Sequence, residues 1–415
     1  MKGSILHRYF IFLSVLLLFS GDISAQLQEG WLQRASLPGP ARHRSVCVNI
    51  GSRIYIGLGH VNAVVDILYD DWWEFDPGAN SWTQKASYAG GLRHHGFGFV
   101  INNKAYVGMG RAPGNALPRD NWEYDPTTNV WIGKSLFPGN GRRGSVSFSI
   151  GNKGYMGTGN TASGYTSDFW EYDAAGDFWI QRAFFPPGAR FACVGFSIGT
   201  KGYIGTGEQS TAPSGSKNDL WEYNPATNSW LQRANVPGPA RLAACGFSLA
   251  GKGYIGTGED FQSGNNFSDF HKYDPTTNTW VQINDFTGIA RRYMVGTSCG
   301  VHAFVGTGTN GTNYQDWWEF GYLSGESESE SYAGMINFYP NPAVYQTTLY
   351  IDKGVDVQNA TLHIFDMSGK NVRSIPEITG NAYTLECEDM QTGTYIYSLR
   401  SNTSVIASGK LIIAK

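Results

Sequence analysis

The chain has 415 residues, a formal net charge of −3, 53 glycines and 14% aromatic residues. Charge this close to balance excludes a surface built for nucleic acid or for an anionic membrane. The length admits two or three domains or one large closed fold, and glycine with aromatics in this proportion points to strands separated by tight turns.

The N-terminus reads as a secretory signal over residues 1–25. Lys2 and Arg8 supply the positive start, and Phe10 to Phe19 is an apolar run too short to span a bilayer. Ile23-Ser24-Ala25 offers a small-residue cleavage site. Gln26 follows where a lipoprotein would carry cysteine. No later stretch is apolar enough for a membrane helix, so the mature chain is expected to be exported, with no transmembrane segment.

From Trp31 onward the chain repeats. Trp31, Trp82, Trp131, Trp179, Trp230 and Trp280 lie 51, 49, 48, 51 and 50 residues apart. Nine residues before five of them stands Trp73, Trp122, Trp170, Trp221 or His271, inside a W-E-Y/F phrase that recurs at Trp318. Asp71, Asp120, Asp168, Asp219, Asp269 and Asp316 stand two residues ahead of that phrase's tryptophan or histidine. Arg42, Arg93, Arg142, Arg190, Arg241 and Arg291 are each followed thirteen residues later by Tyr55, Tyr106, Tyr155, Tyr203, Tyr254 or Phe304. The fixed spacing predicts two strands joined by a short turn.

Each unit of about 50 residues therefore holds four short strands: a after the arginine, b ending in G-x-G, c as D-x-W-E-Y and d opening on the second tryptophan. One such sheet cannot bury its own apolar faces, whereas a ring of sheets can. Eleven of the thirteen tryptophans sit at the two repeat positions and are expected in the blade-to-blade core, each contributing about 2–3 kcal/mol. Trp31 opens a strand d with no strands before it, and Asp316 to Tyr322 is a strand c with no strand d after it. Pairing these two closes a sixth blade and removes the sheet edges.

The arginine at the start of strand a, the glycine motif ending strand b and the aromatics of strands c and d resemble the kelch-repeat family over residues 31–322. One departure is that the family's double glycine stands here as GTG, GLG or GMG. The resemblance implies a β-propeller.

"LSGESESESYAG" (323–334) is acidic, serine-rich and nearly without apolar residues, which predicts a linker. Beyond it "TTLYI", "ATLHIFDM", "KNVRSI", "GTYIYSLR" and "SGKLIIAK" read as short strands of a small sandwich. Tyr339-Pro340-Asn341-Pro342, Asp366 with Gly369-Lys370, Gly393 with Tyr395, and the terminal GKLIIAK resemble the type A sorting domain of the type IX secretion system of Bacteroidota. That resemblance implies passage through the periplasm, then release or cell-surface attachment, with the secretion machinery as a partner.

The expected fold class is thus all-β: a six-bladed kelch-type β-propeller over 26–322, a linker at 323–335 and a small β-sandwich at 336–415. Cys47, Cys193, Cys245, Cys299 and Cys387 are odd in number and irregularly spaced, so they read as small buried hydrophobes in strands. No cofactor or metal is expected, because no CxxC, CxH, HExxH, nucleophile elbow or Walker loop is present. "DPTTN" at 125–129 and 274–278 reads as a c–d hairpin turn.

The b–c loops differ strongly between repeats while the hairpin turns stay alike, so the b–c and d–a face is expected to carry recognition. The six repeat arginines belong on that face near the channel, where a structural pairing with the repeat aspartates or loop carbonyls is the expected role. Arg44 and His43 stand beside them. The non-repeated polar groups His94, His95, Arg143, Glu208, Glu259 and Arg292 are the candidate ligand-binding residues, with Glu208 expected near Arg190 and Glu259 near Arg241. The expected ligand is a glycan or an extracellular protein. The kelch resemblance also admits a carbohydrate-active enzyme of the sialic acid mutarotase or galactose oxidase kind. The copper-radical oxidase needs a Cys, Tyr and His ligand set that does not map onto this chain.

Overall fold

The computed structural model describes residues 28–62, 67–210, 215–323, 336–351, 357, 359–367, 370–400 and 405–415. The signal-peptide reading over 1–25 and the linker reading from 324 to 335 lie outside the described residues. No helix among the described residues is long and apolar enough to cross a membrane.

Six four-stranded antiparallel sheets succeed one another along the chain. In the first, strands a to d are Val46–Ile50, Arg53–Gly57, Trp72–Asp76 and Ser81–Lys85. The sheets opening at Phe97–Ile101, Val146–Ile150, Val194–Ile198 and Cys245–Leu249 repeat that order. The sixth takes strands a to c from Val295–Cys299, His302–Gly306 and Trp317–Leu323, and strand d from the N-terminal strand Gln28–Arg34. Trp31 stands opposite Phe320, and Arg34 opposite Trp317. Each strand a packs on strand a of the next sheet, and the last packs on the first. The molecule is therefore a closed six-bladed propeller with the a strands innermost.

Sequence alternation alone assigns one apolar face to strand c. The blades bury both. Leu220 and Tyr223 are each fully buried though they point to opposite faces, because every sheet is sandwiched between two others. The tryptophans divide unexpectedly. The two outside the repeat positions, Trp72 and Trp317, are the fully buried ones. The strand c repeat tryptophans are only half-buried, because each turns its indole N–H to a repeat aspartate: Trp73 to Asp71 at 2.8 Å, Trp170 to Asp168 at 2.8 Å, Trp318 to Asp316 at 2.8 Å.

The strand d tryptophans latch neighbouring blades. Trp230 Nε1 donates to the Ala183 carbonyl at 3.0 Å, while the Ala183 amide donates to Asn228 Oδ1 at 2.9 Å. Equivalent pairs join Trp82 and Asn80 to Ala35, Trp131 and Asn129 to Ala86, and Trp280 and Asn278 to Ala234. The asparagine is the last residue of the "DPTTN"-type turn and sits at positive φ, 49° for Asn228. The turn reading is thus half of the residue's role. In the fifth blade Lys272 takes the place of the strand c glutamate and binds Glu29, on the N-terminal strand of the closing blade, at 2.8 Å.

The glycine motif has a backbone cause. The middle residue of every G-x-G is left-handed, from 52° for Met109 to 61° for Leu58, and the glycine after it is left-handed too. A Cβ on Gly59 would stand 2.8 Å from the His43 carbonyl. Two successive positive φ values account for a double glycine, and here the first is borne by Thr, Leu or Met at a steric cost.

The C-terminal residues form a β-sandwich. One sheet has three strands, Ile336–Tyr339, Gln346–Ile351 and Ala382–Glu386. The other has four, in the order Asn371–Ile378, Ala360–Asp366, Gly393–Arg400 and Val405–Ile413. Their inner faces share one core that includes Phe338, Leu349, Leu362, Tyr397 and Leu411. Cys47, Cys245 and Cys299 lie in strands, whereas Cys193 and Cys387 flank them; all five are free thiols.

Candidate functional site at the channel mouth

The six repeat arginines form a buried collar. Arg42, Arg142, Arg190, Arg241 and Arg291 each grip a repeat aspartate, Asp71, Asp168, Asp219, Asp269 or Asp316, through both terminal nitrogens. The second bond of each pair measures 2.7–3.1 Å. Each also donates to the carbonyl inside the G-x-G that follows it in the same repeat, as Arg142 does to Thr158 at 3.1 Å. Arg93 makes a single bond to Asp120 at 2.7 Å. With their terminal nitrogens committed to these pairs, the collar arginines hold loops in place.

The two residues after each collar arginine build the mouth. The first pairs, strand-like, with the residue after G-x-G: His43 with His60, His94 with Arg111, Arg143 with Asn160, Phe191 with Glu208, Leu242 with Glu259, Arg292 with Thr309. This brings the d–a and b–c loops together on one face. The second residue is left-handed in all six blades: Arg44, His95, Gly144, Ala192, Ala243 and Tyr293. Amide-to-carbonyl bonds of 2.8–3.2 Å run from His95 to Arg44, Gly144 to His95, Ala192 to Gly144, Ala243 to Ala192 and Tyr293 to Ala243. These links tie the blades at equal height, so side-chain size at this position decides where the mouth is filled.

It is filled on one side. Arg44, His95 and Tyr293 come from adjacent blades. Arg44 lies 4.3 Å over the Tyr293 ring and donates to His60 Nε2 at 2.7 Å. His43, His60, His94 and His95 stack in series, with ring centres 4.3, 4.1 and 5.0 Å apart. All four are buried. Burial first, then the neighbouring arginines and imidazoles, hold His43 and His94 down at about 2 and His95 well below the ordinary imidazole range. They are neutral packing groups. The candidates His94 and His95 thus form part of a plug.

The opposite side is open, because Gly144, Ala192 and Ala243 present almost no side chain. Gly144 is required there twice over: its φ is +64°, and a Cβ would stand 2.2 Å from the Phe191 ring. Phe191, Ala192, Leu242 and Ala243 form an apolar floor with Tyr165 and Tyr293 against it. Around that floor stand the other four candidates, all half-buried. Glu259 binds Arg292 of the next blade at 2.6 Å, and Glu208 accepts from the Tyr165 hydroxyl. Neither carboxylate meets Arg190 or Arg241 as expected, since those arginines are committed to Asp219 and Asp269. Burial pushes both glutamates above the usual carboxylate range, against the pull of Arg292 on Glu259 and of Tyr165 on Glu208. Arg143 lies 5.8 Å over Phe191 and has no acidic partner among the described residues.

Tyr165, Phe191 and Tyr293 were not among the sequence candidates. Tyr165 lies in a variable b–c loop and carries no repeat signal. The series Arg, His, Gly, Ala, Ala, Tyr at one repeat position was visible, but its meaning depends on knowing that the position faces the channel.

The comparisons with known proteins agree with both parts. Residues 337–414 match the family described as secretion system C-terminal sorting domain. That segment is a sorting domain. It directs type IX-dependent export, so the protein is secreted or placed at the cell surface. Its motif residues shape the sandwich. Asn341 donates to the Lys410 carbonyl at 2.7 Å and accepts from the Ile412 amide at 2.8 Å, tying the Tyr339–Pro342 turn to the final strand. The solved structure titled "Structure of YjhT" is similar at 18% identity and a TM-score of 0.59, over 68% of this chain and 95% of that one. The likeness supports the kelch-type propeller fold. Similarity extends to 479 solved chains, so the architecture by itself names no activity. No curated protein matches the chain.

Proposed function

We propose that this is an exported binding protein whose propeller recognises a glycan or an extracellular protein through the mouth formed by the b–c and d–a loops. One observation carries the reading: Arg143, Glu208, Glu259 and Arg292, from four successive blades, surround the apolar floor on the side left open by Gly144, Ala192 and Ala243. Charged groups over an apolar base form the usual composition of a ligand site. Collar arginines would be needed in any propeller of this repeat, whereas these four are charged residues at positions whose residue type changes from blade to blade.

The test is a glycan array and a binding screen against surface proteins with the full chain, repeated with Arg143→Ala and Arg292→Ala. A specific hit that both variants lose, with melting temperature unchanged, is the expected outcome. Hits retained by both variants would move recognition off the mouth.

A carbohydrate-active enzyme of the mutarotase kind is the second reading. It is favoured by Glu208 in hydrogen-bond contact with Tyr165, a carboxyl raised by burial beside a hydroxyl, which is the placement an acid–base step requires. Anomer exchange of any bound sugar, followed by NMR, separates it from simple binding.

A further inference from the structure

We propose that the open half of the mouth receives a zwitterion: its anionic group on Arg143, its protonated amine on Glu208 and its apolar part on Phe191 and Leu242. This rests on the mouth being the recognition site and adds the class of ligand.

The charges argue for it. Arg143 keeps its proton at any physiological pH, yet among the described residues its guanidinium has neither an ion pair nor a hydrogen bond. The charged groups that act on it are Arg111 and Arg44, both cations. Its guanidinium lies 5.8 Å over the Phe191 ring, and Tyr293 and Tyr165 are also near enough to act on it. Glu208 is the mirror case. Its sole stabilising partner is the Tyr165 hydroxyl, and no cation pairs with it among the described residues. Glu259, at the same repeat position one blade on, does have its cation, Arg292, at 2.6 Å.

A cation and a carboxylate thus stand half-dry and unpaired in one mouth. Two such groups would pair if they could reach each other. Each instead meets one of a stacked pair of rings, Tyr165 and Phe191, 5.5 Å apart: Arg143 lies over Phe191, and Tyr165 binds Glu208. A simple anion would satisfy Arg143 and leave Glu208 without a cation. A simple cation would satisfy Glu208 and face Arg143 and Arg111. A molecule carrying both charges answers both sites, and the apolar cluster of Phe191, Ala192, Leu242 and Ala243 beneath asks for a hydrocarbon portion. An amino acid with an apolar side chain is the smallest molecule of that description.

The experiment is titration calorimetry on the full chain with leucine and 6-aminohexanoate, which offer short and long separations of charge. Each is matched with its N-acetyl form, which lacks the ammonium, and its amide, which lacks the carboxylate. At least one parent should bind, and both blocked forms should lose tenfold or more. Arg143→Gln should weaken the parent and abolish its advantage over the amide. Glu208→Gln should weaken the parent and abolish its advantage over the N-acetyl form. Glu208→Gln is isosteric and Arg143→Gln is shorter but polar, and melting temperature checks the fold of each.

The proposal is overturned if the N-acetyl form binds as well as the parent, which would make this a plain anion site. It is equally overturned if no parent binds. In either case the mouth reading survives provided an array hit is lost in Arg143→Gln. An array hit that neither variant affects removes the mouth reading as well.

Discussion

Five of the six repeat aspartates hold a guanidinium and an indole at once. Asp168 accepts from Arg142, from Trp170 Nε1 at 2.8 Å and from Thr166 Oγ1 at 2.7 Å, and Arg142 is fully buried. Asp168→Ala leaves that arginine charged and uncompensated, which commonly costs about 3–5 kcal/mol. Trp170→Phe keeps the ring and removes one hydrogen bond to a charged group, a loss of about 1.5–3 kcal/mol. Urea midpoints for the two variants should fall in that order. A smaller effect for Asp168→Ala than for Trp170→Phe would mean the arginine finds another partner. A second residue-scale expectation concerns pH. His43 and His94 titrate at about 2 in the fold and His95 well below the ordinary imidazole range, against an unfolded value of 6.5. The unfolded chain therefore binds more protons below 6.5. Stability is whole above that pH and falls as pH drops through it, by up to about 1.4 kcal/mol per pH unit for each histidine. Melting temperature should decline between pH 6.5 and 5, where carboxylates still contribute little, and the decline should be shallower in His94→Gln. Equal slopes would show that the stack opens without unfolding.

At the scale of the element, the recurring arginine, aspartate and tryptophan were legible in the sequence because each does the same thing in every blade. Strands b, c and d could be read from their phrases. The mouth was legible only in part. Arg143, Glu208, Glu259 and Arg292 stood out as polar groups outside the repeat, but their partners depend on side chains crossing between blades, which no linear spacing encodes. Glu259 reaching Arg292 and missing Arg241 is one instance, and the Asn228 latch to Ala183 is another. The latch has its own test. Asn228→Gly keeps the left-handed turn free of strain and removes the bonds to the Ala183 amide and to the Tyr223 hydroxyl at 2.9 Å. Asn228→Ala removes the same bonds and adds the cost of positive φ. The glycine variant should lose roughly 1–2 kcal/mol, and the alanine variant about 1 kcal/mol more. Identical stabilities would mean that the turn conformation is not maintained after the latch is cut.

At the scale of the whole molecule, closure by Gln28–Arg34 makes the first described residues and the last strand of the ring mutually dependent. Seven residues pair with Trp317–Leu323, Trp31 fills the space between Phe270, Phe286 and Phe320, and Glu29 neutralises Lys272. Removing residues 26–36 strips all of this at once. Trp31 alone accounts for about 3–5 kcal/mol on large-to-small grounds, and Lys272 would be left without the Glu29 carboxylate. The pairing edge of Trp317–Leu323 would also be exposed, and an unpaired edge invites association between chains. The expected result is a melting temperature lower by well over 5 °C together with concentration-dependent association on light scattering. A truncated chain that stays monomeric and melts with the full one would mean that five complete blades hold the sixth open without loss. Covering the edge separates the two effects: a synthetic peptide of residues 28–36 added in excess should suppress association and restore part of the melting temperature. A peptide with Trp31→Ala should pair along the same backbone yet restore less, because the ring closes on the indole as well as on the hydrogen bonds.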